Sequence, residues 1–340
     1  MIILLPLEPL ELRYTAQWAK QWPAQLQKDK VPFRVINGEK LTDTINVGSV
    51  LDALGTNYWK CTQLASLISH IQNKGIGNDD VLLFADLWFP GIEALQYIKN
   101  IARIGPKITG VLHAGTWDDH DFLVRNGLRP FFHEIESAWF KMFDLIFVGS
   151  QFHKDLILKS HHVDPDKIQV TGLPFYPDEF VTDKRKHMTK IYNSVVFPHR
   201  LDVEKHPEMF DALREGNNEL LAYCYTRTVD HFTTKPAYYD ELAKHQIAVS
   251  FADQETFGYA MLEATALGCY PLVPDRLSYR EMYPSVFRYS THEELIEKIK
   301  AVGNSESERN DEIINDLAHK QRATYMGSIT RMTDCIHTRF

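Results

Sequence analysis

Short runs of apolar residues alternate along the chain with longer segments in which apolar positions recur every three or four residues. The short runs are typical of strands buried on both faces, and the longer segments are typical of amphipathic helices that cover a sheet. The first half contains six such predicted strands: Ile2–Leu5, Phe33–Ile36, Val81–Ala85, Lys107–Leu112, Leu145–Val148 and Ile168–Thr171. The predicted helices between them are Tyr14–Lys28, Cys61–Gln72, Gly91–Ala102, Phe131–Phe143 and Phe152–Ser160. This alternation predicts an α/β domain built on a parallel sheet.

The alternation stops after the sixth predicted strand and then resumes. Residues 176–192 include the polar, basic stretch Asp183–Lys190, which has no apolar period, and are predicted to form a linker. Beyond it the predicted strands are Ser194–Phe197, Leu220–Tyr225, Ile247–Phe251 and Tyr270–Val273, and the predicted helices are Pro207–Glu215, Pro236–Lys244, Tyr259–Leu267 and Glu293–Val302. We therefore expect two Rossmann-like α/β domains, 1–175 and 193–310, that face each other across a cleft. The helical tail, 311–340, is expected to pack back on the first domain.

Composition and charge exclude several other classes of protein. Of 340 residues, 44% are hydrophobic and 24% are charged, and the net charge is −8. This is globular composition without a strongly basic domain, so any contact with nucleic acid must come from a local patch. The four cysteines lie far apart without a metal-binding spacing, and there is no run of about 18 apolar residues long enough to span a membrane. A cytoplasmic protein of enzyme size is predicted.

Two glutamates eight positions apart follow the predicted strand Ile247–Phe251. In the segment QETFGYAMLEA, Glu255 stands near a strand end, where parallel sheets bind ligands, and Glu263 lies inside the helix that Gly258 opens. A carboxylate at the second position can accept two hydrogen bonds from a ribose diol. The amides of Phe257 and Gly258 suit a phosphate or a sugar oxygen. The alternative is that Glu255 only caps the helix and that Glu263 lies on a solvated face.

Two basic residues follow the first strand of the second predicted domain. In FPHRLDVEKHPE, Arg200 and Lys205 are five positions apart. Two cations that converge on one point suit a diphosphate, because its negative charges pair with fixed cations. The alternative is a pair of ordinary solvated side chains on a loop.

These motifs resemble those of retaining glycosyltransferases with the GT-B fold. The first is similar to their E-x7-E donor motif and the second to their G-R-L-x-x-x-K element, although His199 stands where the glycine is usual. The resemblance implies that Glu255 binds the donor sugar, Glu263 the ribose, and the two cations the diphosphate. It implies a UDP- or GDP-sugar as donor substrate, with no metal ion and no cofactor required. The implied catalytic residues are His113, Glu255, Arg200 and Lys205, and the implied donor-binding residues are Arg200, Lys205, Glu255, Thr256, Phe257, Gly258 and Glu263.

The first predicted domain supplies the candidate acceptor side. His113 ends its fourth predicted strand, where this family often presents a histidine close to the donor sugar. The aromatic residues Trp59, Trp88, Phe89 and Trp117 either stack on a base or sugar ring or close the core, and the sequence leaves both open. Asp119 and Asp121 also match the metal-binding D-x-D of the GT-A fold, but two α/β halves favour GT-B, so no metal site is predicted. The candidate acceptor residues are Glu8, Trp88, Trp117, Asp118 and Asp119.

The acceptor itself is inferred from resemblance alone. The C-terminal half, with FPHRLDVEKHPE and TFGYAMLEATALGCYPLVP, is similar to tRNA-queuosine mannosyltransferases, whereas LPLEPLELRYTAQW and ADLWFPGIE resemble phage DNA-modifying glycosyltransferase-like proteins. The resemblance implies transfer to a 5-hydroxymethylpyrimidine in phage DNA, within the host cytoplasm, ahead of queuosine in tRNA. A glycan or small-molecule acceptor and a non-catalytic sugar-nucleotide-binding protein remain alternatives. Candidate contacts to nucleic-acid phosphates are Arg125, Arg129, Lys184, Arg185, Lys186 and Lys190.

Overall fold

The structure, a computed structural model, describes residues 1–11, 13–41, 53–215, 220, 222–228, 232, 234–304 and 307–340. The chain divides into two compact units. Unit 1 comprises Met1–Pro174 together with Gly327–Phe340, and unit 2 comprises Phe175–Met326. Residues 176–192, predicted as a linker, belong to unit 2, and β7 of that unit begins at Ile191.

Unit 1 is built on a six-stranded sheet in the order β2-β1-β3-β4-β5-β6, in which every pair of neighbours is parallel. Strands β1, β3 and β5 are buried along their whole length, which explains their uninterrupted apolar sequences. The strands are β1 Ile2–Leu5, β2 Phe33–Val35, β3 Val81–Phe84, β4 Lys107–Val111, β5 Leu145–Val148 and β6 Ile168–Val170. The helices between them are α1 Tyr14–Lys28, α2 Ala53–Gln72, α3 Ile92–Ala102, α4 Phe122–Arg125, α5 Arg129–Met142 and α6 Gln151–Ser160.

Unit 2 repeats this architecture with a five-stranded parallel sheet in the order β11-β10-β9-β7-β8. Its strands are β7 Ile191–Phe197, β8 Cys224–Arg227, β9 His245–Val249, β10 Tyr270–Pro274 and β11 Arg288–Tyr289. Its helices are α7 Asp183–Lys186, α8 Pro207–Glu215, α9 Lys235–Lys244, α10 Tyr259–Ala266, α11 Tyr279–Met282, α12 His292–Asn304 and α13 Ser307–Met326. The prediction of two Rossmann-like α/β domains is therefore confirmed.

Two element boundaries differ from the prediction for identifiable reasons. Helix α2 begins at Ala53 instead of Cys61, because the burial of Gly55 and Trp59 outweighs the weak helix propensity of the intervening Thr and Asn. Strand β8 begins at Cys224 instead of Leu220. Leu220 is buried in a turn before the strand, so its apolar character reflects core packing and not strand pairing. Residue 221 of that predicted strand lies outside the described residues.

The final helix, α14 (Ser328–Arg339), returns to unit 1 and packs on α1. Ser328 Oγ donates a hydrogen bond to the carbonyl of Leu173 at 3.1 Å, and Thr330 Oγ1 donates to Asp29 Oδ2 at 2.7 Å. Unit 1 is thus assembled from two separate segments of the chain.

Candidate functional site

The motif residues of unit 2 follow the two strands at which the strand order of its sheet reverses. From β7 the chain first places β8 on one side of the sheet and then β9 on the other. In open α/β sheets, ligands bind outside the carboxyl ends of the strands at such a switch point. Arg200 and Lys205 follow β7, and Glu255 follows β9, so the sequence places these three residues at the expected position.

A buried ion pair joins the two loops. Lys205 ends a short 3₁₀ turn that Asp202 caps, and only 6% of the lysine is exposed. Its Nζ donates to Glu255 Oε1 at 2.9 Å and also to the carbonyl oxygen of Gln254. Burial raises the pKa of Glu255, but the charge and hydrogen bond of Lys205, together with the nearby His199 and Arg200, outweigh that effect, so the pKa lies below its usual value. The structure thus brings together the two residues that the motifs singled out separately.

Arg200 lies beside this pair but has different partners. Its Nε donates to Asp202 Oδ2 at 3.1 Å and its Nη2 to Glu204 Oε1 at 2.5 Å. Because 55% of the side chain is exposed, the guanidinium can be reached by a ligand from solvent, whereas Lys205 is covered. Asp202 and Glu204 were not singled out from the sequence, although both lie within the same motif.

His199, which stands where related motifs have glycine, is buried behind the ion pair. Its Nδ1 lies 3.8 Å from Glu255 Oε1, and its Nε2 has no hydrogen-bond partner among the described residues. Burial lowers the pKa of His199 to about 3, which keeps the imidazole neutral beside the cation of Lys205. The residue therefore fills volume and contributes polarity without adding charge.

The loop Thr256–Gly258 leads from Glu255 into α10. Gly258 has φ +75° at the helix N-cap, a conformation that favours glycine, and the place of a Cβ atom there is 3.1 Å from the ring of Tyr279. Phe257 is buried against Tyr325 of α13 with ring centroids 4.8 Å apart, so only its backbone is available to a ligand. Thr256, the first residue of this loop, is half-buried.

Glu263 is buried on α10 and already fully engaged. Its Oε1 and Oε2 accept hydrogen bonds from Lys235 Nζ at 2.8 and 2.9 Å, and Tyr239 Oη donates to Oε1 at 3.0 Å. The alternative in which this glutamate lies on a solvated face is therefore wrong. Lys235 was missed from the sequence, where a lone lysine before a proline gives no signal.

A second group of charged residues links the loops that follow β7, β9 and β10. Asp253 accepts a hydrogen bond from His206 Nε2 at 2.5 Å and forms an ion pair with Arg276 Nη2 at 2.7 Å. The hydrogen bond to Asp253 raises the pKa of His206. These residues also escaped the sequence analysis, since no motif connects them.

His113 of unit 1 follows β4 and is half-buried among aromatic side chains. Its Nε2 is 2.7 Å from the carbonyl oxygen of Ala85, and its Nδ1 is 3.2 Å from the hydroxyl of Tyr14. The ring also packs against Trp18, with centroids 5.1 Å apart. Burial lowers the pKa of His113, which favours the neutral imidazole.

Next to it lies an ion pair that the sequence did not indicate. Lys60 of α2 is 6% exposed, and its Nζ donates to Asp86 Oδ2 at 2.7 Å and to the carbonyl oxygen of Trp88. Asp86 follows β3, which borders the switch point between β1 and β3 in the sheet of unit 1. A lysine in a helix and an aspartate after a strand, 26 positions apart, have no pattern that predicts their pairing.

The candidate acceptor residues have mixed environments. Glu8, Trp117 and Asp118 are buried, whereas Asp119 is exposed and paired with Arg129. Trp88 is half-buried and donates its Nε1–H to Glu136 Oε1 at 2.9 Å. Of the aromatic residues whose role the sequence left open, Trp59, Phe89 and Trp117 are buried, which favours closing the core over stacking on a ligand.

Glu136 of α5 anchors the loop that follows His113. This fully buried carboxyl group accepts hydrogen bonds from the backbone N and the Oγ1 of Thr116, as well as from Trp88. A Cβ atom at Gly115 would come within 2.2 Å of Glu136 Oε1, so the loop passes too close for any larger residue. Glu136 thereby ties together the loops that follow β3 and β4.

The predicted phosphate contacts are partly engaged within their own units. Arg185 binds Asp240 Oδ1 at 2.7 Å, and Lys190 donates to the carbonyls of His245 and Leu267, each at 2.9 Å. Lys184 is 76% exposed and remains accessible. Arg129 pairs with Asp119, Lys186 lies 3.7 Å from Asp183, and Arg125 ends α4.

Two further searches cover the described residues only. They contain no group of three or more His, Cys, Asp or Glu side chains arranged to hold a metal ion. None of their helices combines the length and the apolar character needed to cross a membrane. Independence from metal ions stays a prediction.

The carboxyl group of Asp121 gives unit 1 a testable pH dependence. Burial raises its pKa from 3.8 to about 6, helped by the nearby charges of Asp118 and Glu136. The folded state therefore holds a proton that the unfolded state releases, so this group makes stability fall as the pH rises from about 4 to 6. Asp121→Asn keeps an oxygen to accept from Leu123 N and should stabilise unit 1 at pH 7.5 by about 1–3 kcal/mol.

The measurement is urea unfolding at pH 4.5 and at pH 7.5. The free energy of unfolding of the variant should exceed that of the unchanged protein at pH 7.5, and the two values should converge at pH 4.5. Asp119→Asn, at an exposed position nearby, is the matched control and should show no such gain. Equal gains at both pH values would contradict the assignment to Asp121.

Comparison with curated proteins gives a partial sequence match. No family model matches the chain. The tRNA-queuosine alpha-mannosyltransferase of Drosophila melanogaster is 45% identical over 94 residues, which are 27% of this chain and 23% of that protein. The chain thus matches about a quarter of the length of this curated relative.

Solved structures match over the whole chain. Sucrose-phosphate synthase from Thermosynechococcus elongatus has a TM-score of 0.67 at 10% identity, covering 99% of this chain and 98% of that one. HepE from Anabaena, in complex with UDP and glucose, has a TM-score of 0.64 at 11% identity and covers 99% of both chains. At such identities the likeness establishes the fold alone. With two parallel-sheet Rossmann-like units, the chain has the GT-B fold of glycosyltransferases.

Proposed function

We propose that the protein is a retaining glycosyltransferase that uses a nucleotide-sugar donor. The observation that carries the proposal is the buried pair of Lys205 and Glu255 at the strand-order switch point of unit 2. A GT-B fold supplies the scaffold, and the match to a mannosyltransferase supports the reaction class. HepE was solved with UDP and glucose, which supports a nucleotide sugar as the donor.

The charges of this site suit a diphosphate leaving group. Lys205 and the half-exposed Arg200 provide two cations on the same loop, and each is now held by carboxylates that a ligand can replace. Fixed cations stabilise the negative charge that develops on the leaving phosphate, so no metal ion is needed in this proposal. Glu255 then accepts hydrogen bonds from the sugar hydroxyls, and Glu263 accepts them from the ribose.

The proposed reaction exchanges one glycosidic bond for another on the same face of the sugar. The bond between the anomeric carbon and the phosphate oxygen breaks, and the acceptor oxygen forms the new bond to that carbon. The acceptor proton passes to the departing phosphate oxygen, so no separate base is required. His113, whose pKa burial lowers, is proposed to hydrogen-bond the sugar at the reacting end through Nδ1, in exchange for the hydroxyl of Tyr14.

The proposed acceptor is a hydroxyl group on a modified nucleobase in nucleic acid. The 94-residue match to a tRNA-modifying enzyme supports a nucleic acid. Two N-terminal segments, LPLEPLELRYTAQW and ADLWFPGIE, resemble phage DNA-modifying proteins and favour 5-hydroxymethylpyrimidine in DNA as the acceptor. A base within a duplex must first be extruded to react, and with a net charge of −8 the protein should bind nucleic acid in a salt-sensitive way.

Mass spectrometry of digested nucleosides tests this proposal directly. The protein is incubated with UDP- and GDP-sugars and with either hydroxymethylpyrimidine DNA or queuosine-containing tRNA. We expect a hexose or pentose mass increment on one nucleoside, and DNA and tRNA are read in separate reactions. Donor hydrolysis without a mass increment on either nucleoside would indicate that the acceptor is a glycan or a small molecule. Tight donor binding with neither hydrolysis nor transfer would contradict the proposal that the protein is an enzyme.

A further inference from the structure

Lys235 forms an ion pair with Glu263, the residue that the proposed function assigns to the ribose. The lysine is the first residue of α9 and lies 28 positions before Glu263, and its Nζ contacts both carboxylate oxygens at 2.8 and 2.9 Å. The ammonium also lies over the rings of Tyr238 and Tyr239, at 4.5 and 5.0 Å from their centroids. One carboxylate and two aromatic rings thus converge on one cation in the described structure.

Lys235 is the partner of Glu263 on the side that solvent reaches. The side chain of Glu263 is 4% exposed and Tyr239 is also buried, whereas 19% of the Lys235 side chain is exposed. A ligand that approaches Glu263 from solvent therefore meets the lysine first. Tyr239, donating to Oε1 from within the unit, can stay in place while the lysine leaves.

We propose that Lys235 covers Glu263 until a ribonucleotide displaces it. This inference rests on the proposed function. A vicinal 2′,3′-diol offers two hydrogen bonds and can replace both contacts of the ammonium with the carboxylate oxygens. A 2′-deoxynucleotide offers only one, so it would displace the cation and leave a buried oxygen short of a donor, which is costly. The site therefore favours ribonucleoside diphosphates over their deoxy counterparts.

Lysine acylation measures the displacement itself. The protein is treated with N-hydroxysuccinimidyl acetate, with and without millimolar UDP or GDP, and modified peptides are quantified by mass spectrometry. Acylation of Lys235 should rise several-fold with nucleotide, because the amine leaves the carboxylate and the two rings. Binding of the same nucleotides is followed in parallel by isothermal titration calorimetry, because Lys205 is already covered and cannot report it. Lys320, exposed on α13, is the internal control and should not change.

Two outcomes separate the inference from the function on which it rests. Saturable binding of UDP or GDP with no gain at Lys235 would make Lys235 a static counterion and overturn the inference, while the donor site would stand. Binding of neither nucleotide would contradict the proposed function, and with it the inference.

Variants test the specificity. The unchanged protein should bind UDP or GDP at least about tenfold more tightly than the 2′-deoxy form. Lys235→Met removes the covering cation and should tighten the binding of UDP or GDP several-fold, because the competent fraction no longer limits binding. Lys244→Met, near the other end of α9, is the matched control. An unchanged affinity in Lys235→Met, with thermal stability retained, would overturn the inference.

Discussion

Replacing Lys205 with alanine should lower the turnover number by about two to three orders of magnitude, since removing one fixed charge from a developing oxyanion costs that much in other enzymes. The loss is expected to be large because Lys205 is covered and its ammonium is fixed by Glu255 and Gln254. A water molecule in its place would carry no charge. The affinity for the donor should fall less than the turnover number, because most of the charge appears only in the transition state.

The measured quantity is the rate of donor hydrolysis or sugar transfer, which is monitored through the release of the nucleotide. Lys205→Arg keeps the charge and should recover part of the rate, and Arg200→Ala should be impaired to a smaller extent because that guanidinium is half-exposed. Lys320→Ala removes an exposed lysine from α13 and should leave the rate unchanged. A near-normal rate in a folded Lys205→Ala protein would remove the lysine from the proposed mechanism.

Replacing Glu136 with alanine should destabilise unit 1 by about 3–5 kcal/mol, because several buried donors lose their acceptor at once. Trp88 Nε1 and both donors of Thr116 depend on this one carboxyl group, and His161 Nε2 lies 3.5 Å from it. The cavity left by the side chain adds to the loss. We expect the loops after β3 and β4 to loosen first.

The location of the tryptophans makes this effect measurable in one unit. All six tryptophans of the chain lie at or before residue 139, within unit 1, so tryptophan fluorescence during urea unfolding reports on that unit. Glu134→Ala, two positions away at an exposed site, is the control and should change stability little. A loss below about 1 kcal/mol in Glu136→Ala would show that water replaces the carboxyl group as acceptor.

The sequence predicted the sheet strands well where burial is complete. The bounds of β1, β5 and α1 agree with their predicted ranges, since a fully buried strand or a strongly amphipathic helix carries its own pattern. The edge strand β8 was misplaced because an apolar residue in a turn resembles one in a strand. The short helices α4, α7 and α11 span four residues each, too few to show a period.

The candidate site could be predicted only as far as motifs extend. Spacing places Lys205 and Glu255 after adjacent strands, and their ion pair follows from the parallel sheet. The contact of Lys235 with Glu263 depends on how α9 packs against α10, which no local pattern records. Trp117 shows the same limit, because an aromatic residue in a loop gives the same signal whether it binds a ligand or fills the core.

The return of α14 to unit 1 has a consequence for biosynthesis. The hydrogen bond between Asp29 and Thr330 spans 301 positions, so the ribosome completes all of unit 2 before α14 can dock. Until then, the surface of α1 that packs against α14 lacks that cover. We expect unit 2 to reach its native state first, and a nascent-chain chaperone to find its binding surface on α1 during that interval.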